Sequence, residues 1–232
     1  MIKVIKNKVY TISINEWFAI FVAIFVVNSV VANVFEMKTI GWNGFAIVGG
    51  GILFSGSFFG IMHIINEVWG KKTAQKVTIF ATIVCFIIAI MAQILILLPG
   101  AYDTNNTHFE FVMGQGIRIM IASEIAFLIS QLINIMIFDK IRNFTKDRTD
   151  KKKFVGTSSI AAFIGQLIDN LMFVIIAFAP LGFSSFEMSW KDIGTSVMMG
   201  TFFEMVIQFL IVIPIVAIAI NLKKQNSKKD EV

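Results

Sequence analysis

The sequence predicts an all-α membrane protein, a single domain over residues 1–232 in which six transmembrane helices form one bundle. Two observations support this prediction. Of the 232 residues, 56% are hydrophobic and only 15% are charged, which is more apolar surface than a soluble domain of this size is expected to bury. Six apolar stretches are also long enough to cross about 30 Å of hydrocarbon, which takes about 20 residues of helix. They are residues 17–35, 45–66, 76–98, 117–138, 157–179 and 193–220.

Prolines and glycines indicate where these spans end and where they touch. Pro99 and Pro180 stand just past the third and fifth spans, where helices commonly stop. Pro214 lies inside the sixth span and predicts a kink there. Gly56 and Gly60 form a G-x-x-x-G in the second span, a pattern that permits two membrane helices to approach closely.

The distribution of basic residues predicts the orientation. The N-terminus, loop 67–76, loop 139–156 and the C-terminal tail together hold 17 of the 20 Lys and Arg residues. Both termini are therefore predicted to be cytoplasmic, with the polar loop 99–116 outside, in a multi-pass protein of the cell (inner) membrane. The same distribution accounts for the net charge of +5 without nucleic acid, so we expect no nucleic-acid partner. The first span has no small-residue cleavage site after it and is expected to be retained.

Polar side chains inside the fourth and fifth spans are the main candidate functional residues. Within each span their separations of three, four or seven residues place them on one helix face. Carboxylates are costly in hydrocarbon and normally face a protein interior or a water-filled cavity. We therefore predict a polar cavity between these two spans. Its walls would be Glu124, Gln131 and Asn134 in the fourth span, and Gln166, Asp169 and Asn170 in the fifth.

Four further residues complete the candidate set. Arg118, near the head of the fourth span, would balance the charge of the acids, and Glu204 of the sixth span is another carboxyl in an apolar stretch. His63 lies four residues before Glu67 at the inner end of the second span, so the two could touch on one helix face. The alternative is structural: Arg118 would form a buried pair with one acid, and the amides would link neighbouring helices.

Catalytic and cofactor motifs are missing from the sequence. It contains no G-x-x-x-x-G-K-[ST] nucleotide-binding loop and no H-E-x-x-H zinc motif. Ser123 and Glu124 are sequence neighbours, which does not place a nucleophile and a base on one helix face. The single cysteine, Cys85, gives neither a disulfide nor a cysteine metal cluster. We expect no enzyme activity, no metal and no cofactor.

The residue types of the predicted cavity indicate the kind of solute. Carboxylates accept hydrogen bonds from ring N–H groups and amines, while Gln and Asn side chains both donate and accept. The aromatic side chains of Phe127, Phe173 and Trp69 could stack on a flat ring. A nucleobase-like or vitamin-like heterocycle fits this set better than a simple ion.

Four segments of the sequence match a known family. They are N-E-V-W-G-K-K-T-A-Q at 66–75, R-x-x-x-A-S-x-x-A-F at 118–127, S-Q-L-I-N-x-x-I-F at 130–138, and G-Q-L-I-D-N-x-x-F-x-x-I-A-F at 165–178. Together with the six spans, they make the chain resemble the queuosine precursor transporter family, also called the VUT or vitamin uptake-like family. The resemblance covers nearly the whole chain.

The resemblance implies an uptake transporter for a 7-deazaguanine such as 7-cyano-7-deazaguanine or queuine. Eight residues carry the family pattern: Glu67, Gly70, Arg118, Ser123, Gln131, Gln166, Asp169 and Phe173. Five positions depart from the residues usual in the family: His63, Asn134, Ala161, Ala162 and Glu204. Several departures lie where ligand contacts are expected, so the sequence leaves the solute open.

Other functions remain as alternatives at this point. The family is similar to the substrate-binding subunits of energy-coupling-factor transporters, and Ala19-x-x-x-Ala23 in the first span is the small-residue face that such a subunit would dock through. A transporter for another heterocycle, an intramembrane enzyme and a structural membrane protein are the remaining alternatives. Whether transport is facilitated, proton-driven or ATP-driven, and whether the chain forms a homo-oligomer, stay open.

Overall fold

The computed structural model describes residues 12–36, 38–42, 45–101, 103–114, 117–145, 150–180 and 187–229. They form seven helices and one short hairpin. In chain order these are α1 (Ile14–Phe35), β1 (Thr39–Trp42), β2 (Phe45–Gly49), α2 (Ile52–Trp69), α3 (Lys71–Leu97), α4 (Asp103–Met113), α5 (Ile117–Asn143), α6 (Lys151–Phe178) and α7 (Trp190–Lys229).

Six of the described helices, all except α4, are long and apolar enough to cross a membrane, which confirms the predicted fold class. Their outward faces are apolar. On α3, for example, Phe80, Ile83 and Ile87 are each more than half exposed, as lipid-facing side chains would be. Helix α7 continues through Pro214, and the kink expected there stays a prediction. The cytoplasmic placement of both termini also stays a prediction.

The start of the second span was predicted wrongly. Residues 45–49 form strand β2, which pairs antiparallel with β1, Thr39 opposite Gly49 and Ile40 opposite Val48. Helix α2 therefore begins at Ile52 rather than at residue 45. The physical reason is the run of three glycines at 49–51, since glycine disfavours a helix interior and permits close backbone contact. A Cβ at Gly51 would lie 2.5 Å from the carbonyl oxygen of Ala32.

Local signals fix several helix ends. Helix α1 starts with a capping box in which Ser13 and Glu16 exchange hydrogen bonds of 2.6 and 3.3 Å. Helix α6 starts after Asp150, whose carboxylate accepts from the backbone N–H of Lys152 at 2.8 Å. Helices α2 and α3 are separated only by Gly70, which has a φ of +87°. That backbone conformation reverses the chain and favours glycine.

Helix α2 is the central helix of the bundle. In its most apolar stretch of 18 residues, 78% of the residues are buried, against 17% in the corresponding stretch of α1. The close approach predicted at Gly56 is found, because a Cβ there would lie 2.9 Å from both the Glu204 carbonyl oxygen and Ile207 Cβ of α7. On the other side of the core, Phe58 of α2 packs edge-on against Phe127 of α5 at 5.5 Å between ring centroids. These contacts hold α2 between α7 and α5.

Candidate functional site

A cavity of about 420 Å³ lies at one end of the bundle, where α1 and α6 end and α2 and α7 begin. Its lining includes Glu36 just past α1, Phe178 at the end of α6 and Ser196 near the start of α7. From there it extends inward to Phe58 of α2 and Phe127 of α5. This is the end of the bundle that the distribution of Lys and Arg predicts to be external.

Four of the predicted site residues line this cavity together. They are Glu124, Asp169, Asn170 and Glu204. The cavity also touches α1, α3 and the hairpin, so it is wider than the predicted cleft between the fourth and fifth spans. No Lys, Arg or His is found among its described lining residues. A surface with this composition accepts hydrogen bonds and favours solutes rich in N–H groups or positive charge.

The carboxylate of Glu124 is only partly engaged by its neighbours. Asn33 of α1 donates from Nδ2 to Glu124 Oε1 at 3.0 Å, and Ser123 donates to Asn33 Oδ1 at 2.8 Å. The second oxygen, Oε2, is buried and meets no N–H or O–H donor among the described residues. The thiol of Cys85 adjoins the carboxylate, but a thiol is a weak donor. One oxygen of Glu124 is therefore bonded to Asn33, while the other has no amide or hydroxyl donor among the described residues.

Asp169, Asn170 and Glu204 line the cavity from α6 and α7. Ser130 of α5 donates to Asp169 Oδ1 at 2.8 Å. Glu204 accepts at one oxygen from Ser55 Oγ at 2.5 Å and at the other from Asn170 Nδ2 at 2.8 Å. These bonds connect α2, α5, α6 and α7, and they hold the two carboxylates in fixed positions beside the cavity.

Glu36 is a fourth cavity acid, and it is not among the residues predicted from the sequence. Because it follows the first predicted span, the sequence indicates a loop residue, yet Glu36 lines the cavity. Burial raises the pKa of Glu36 from 4.5 to about 7, while a hydrogen bond from the backbone of Gly51 opposes that rise. The signal that could have found Glu36 is a polar stripe in α1, since Ser29, Asn33 and Glu36 recur at separations of four and three residues.

Aromatic rings form much of the apolar part of the cavity. Phe58, Phe127 and Phe173 all line it. Phe25 of α1 contacts both Phe58 and Phe127, with centroids 5.8 and 5.9 Å apart, and is fully buried. Trp69, also expected near the solute, instead packs against α1 at the other end of α2, with its ring centroid 5.1 Å from that of Phe18.

Four predicted residues lie deeper in the bundle, outside the cavity lining. Gln131, Asn134, Gln166 and His63 are each fully buried. His63 Nε2 lies 2.8 Å from Asn134 Oδ1, and His63 Nδ1 lies 2.5 Å from Ser158 Oγ. The ring also stacks on Phe138 at 4.3 Å. These residues form a polar layer inside the closed part of the bundle.

Glu67 lies at the end of the bundle opposite to the cavity. Its carboxylate pairs with Arg142, with Oε2 2.9 Å from Nε and Oε1 3.1 Å from Nη2. Both side chains are about 1% exposed. From the sequence, Arg142 is predicted to lie in a basic loop and Glu67 within reach of His63. The side chain of Arg118, expected to be the basic partner of the acids, lies outside the described residues.

Comparison with known proteins identifies the family. The chain matches the family described as "Putative vitamin uptake transporter" over residues 49–219. It is 27% identical over 153 residues to the "Probable queuosine precursor transporter" of Bacillus subtilis (strain 168), a match that covers 65% of this chain and 64% of that relative, slightly less than two thirds of its length. No solved structure matches the chain. Because the family match includes α2 to α6 and about three quarters of α7, it confirms the resemblance found in the motifs: the chain belongs to the vitamin uptake transporter (VUT) family of membrane proteins.

Proposed function

We propose that this protein takes up a queuosine precursor (7-cyano-7-deazaguanine, queuine or a related 7-deazapurine) and binds it in the cavity at the outer end of the bundle. Membership of a transporter family supports transport rather than catalysis. The Bacillus relative is named as a probable queuosine precursor transporter, which supports this choice of solute. The observation that carries the proposal is the cavity itself, which combines four carboxyl groups with aromatic rings.

The chemistry of the cavity suits a guanine-type ring. Such a ring carries several N–H donors on its edge, and each carboxylate can accept two or more of them. Glu124 Oε2 meets no N–H or O–H donor among the described residues, and Asp169 and Glu204 line the same cavity. Phe127 and Phe173 offer flat faces for stacking. The volume of about 420 Å³ falls within the range of about 300–1,000 Å³ typical of small-molecule sites.

The position of the cavity favours entry from outside. The end of the bundle that holds it is the end that we place outside the cell, with both termini in the cytoplasm. The opposite end is closed by buried side chains, with Glu67 and Arg142 paired and the guanidinium 5.5 Å from the ring centroid of Phe154. A solute would therefore bind from outside and leave inward after the inner end opens.

Uptake of labelled 7-cyano-7-deazaguanine by cells that cannot make it tests the proposal. Cells that express the protein should accumulate the label, and Asp169→Asn should lower uptake at least tenfold at equal protein level. Glu110→Gln is the matched control, because Glu110 is exposed on α4 and removal of its charge leaves the cavity unchanged. No accumulation above empty cells, or equal uptake by both variants, would contradict the proposal.

A substrate-binding subunit that works with a separate ATP-driven module is the second candidate. It is favoured by one observation: Ala19 and Ala23, the small residues expected at a docking face, are both exposed on α1. Uptake that disappears when the ATPase subunits of the host are deleted would support this candidate. Uptake that survives the deletion, and stops when the proton gradient is collapsed, would instead indicate proton-driven transport.

A further inference from the structure

A second layer of polar side chains lies one helical turn below the cavity. On each of α5, α6 and α7, a glutamine is placed three or four residues deeper than a cavity-lining residue and on the same helix face. The three pairs are Phe127 with Gln131, Asp169 with Gln166, and Glu204 with Gln208. At 1.5 Å of rise per residue, the layer lies about 5–6 Å below the cavity wall. We call these three glutamines, together with the deeper Asn134 and His63, the inner layer.

A continuous series of hydrogen bonds connects most of the inner layer. Gln166 donates from Nε2 to Gln208 Oε1 at 3.0 Å, and Gln208 donates to the backbone oxygen of Ser158 at 3.4 Å. The hydroxyl of Ser158 contacts His63, and the other ring nitrogen of His63 contacts Asn134. This series of hydrogen bonds therefore runs from α6 through α7 and α2 to α5, across the closed part of the bundle.

Four polar side-chain atoms of the inner layer lack partners among the described residues. They are Gln131 Nε2, Gln131 Oε1, Asn134 Nδ2 and Gln166 Oε1. All three side chains are fully buried. The large majority of buried side-chain polar atoms are paired in native structures, and leaving one unpaired costs stability because its lost hydration is not replaced. Leucine at these positions would avoid the cost, so four unpaired atoms in one layer point to a polar group that binds there.

We propose that the inner layer is a second binding site, through which the solute passes after it leaves the cavity. The inference rests on the proposed function and assigns the deeper amides to a separate step of the same transport. Gln131 has both a donor and an acceptor available, so it can bond in parallel to an adjacent N–H and C=O on one edge of a ring, as Gln does with base edges. A 7-deazaguanine presents such a lactam edge.

The two sites divide the recognition of the solute. The cavity presents acids, which accept from amines and ring N–H groups. The inner layer presents amides, which read the lactam edge through paired donation and acceptance. Because a lactam edge is lost when the carbonyl oxygen on C6 is methylated, the inner layer should discriminate against the 6-O-methyl form of the solute more strongly than the cavity does.

The experiment compares Gln131→Leu with wild type, using labelled 7-deazaguanine and its 6-O-methyl form. Equilibrium binding to purified protein reports on the cavity, and initial uptake rates in proteoliposomes report on passage through both sites. We expect Gln131→Leu to lower uptake of 7-deazaguanine at least tenfold and to change its Kd less than threefold. In the variant, the ratio of the uptake rate of 7-deazaguanine to that of its 6-O-methyl form should fall towards one. Gln75→Leu, which replaces a partly buried glutamine outside both sites on α3, should leave both measurements unchanged.

Three outcomes would overturn the inference. Unchanged uptake by Gln131→Leu would show that the amides hold water only. An equal loss of binding would place Gln131 in the cavity. A tenfold loss of uptake with an unchanged ratio of the two solutes would indicate a structural role. The melting temperatures of Gln131→Leu and of a second variant, Gln131→Met, show whether a loss of uptake comes from misfolding. Failure of wild type to bind or transport either solute would refute the proposed function itself, and the inference with it.

Discussion

Replacing Arg142 by leucine should destabilise the protein by about 3–5 kcal/mol, because it removes the guanidinium that neutralises the buried carboxylate of Glu67. The size of the effect follows from the geometry. The two side chains meet through two hydrogen bonds of 2.9 and 3.1 Å, and each is about 1% exposed. For a chain of this length, such a loss corresponds to a melting temperature lower by about 6–20 °C.

Thermal unfolding in mild detergent, followed by tryptophan fluorescence, measures this effect. Lys71→Ala is the matched control at the same end of the bundle. The Lys71–Asp139 pair is 4.0 Å long with side chains 39% and 26% exposed, so its loss should cost less than about 1 kcal/mol. The double variant Glu67→Leu with Arg142→Leu should recover much of the stability, since no unpaired charge remains. If Arg142→Leu melts no lower than Lys71→Ala, the pair does not close the inner end as described.

Two further predictions concern packing and pH. Gly56→Ala should lower stability by about 1–3 kcal/mol, because its Cβ would lie 2.9 Å from the backbone of α7. Gly156→Ala should instead raise stability by about 0.5–1 kcal/mol, because a Cβ there would meet nothing within 4 Å. Equal melting temperatures of the two variants would contradict this packing. Glu36→Gln should raise the melting temperature at pH 8 much more than at pH 5. Burial raises the pKa of Glu36 from 4.5 to about 7, so wild-type stability falls as the pH rises between these values, by about 2–3 kcal/mol from pH 5 to pH 8. A gain that does not depend on pH would show that Glu36 is not buried in this way.

The membrane fold could be predicted from the sequence because length and hydrophobicity alone identify a membrane-spanning helix. The start of α2 could not, since the apolar residues 45–48 suit a strand as well as a helix and short apolar runs do not distinguish the two. Helix α4 was missed for the opposite reason. Residues 103–113 are mostly polar, so the sequence predicts that they belong to a loop.

The candidate site was only partly predictable. Glu124, Asp169 and Glu204 stood out because acids in apolar spans need a polar surrounding, and all three line the cavity. Glu36 and Arg142 lie close to helix ends, where the sequence does not tell a buried charge from a solvated one. Helical periodicity gives the face on which a residue lies, but it does not give the depth to which a cavity extends. The residues of the inner layer were therefore expected in the same cleft as the acids.

Equilibrium dialysis of the purified protein against labelled 7-cyano-7-deazaguanine tests the central claim most directly, because it needs neither an energy source nor a partner. We predict saturable binding of one solute per chain at the cavity, displaced by unlabelled queuine and weakened at least tenfold by Asp169→Asn but not by Glu110→Gln. Binding that does not saturate, or that Asp169→Asn leaves intact, would contradict the claim that the acids of the outer cavity hold the transported solute.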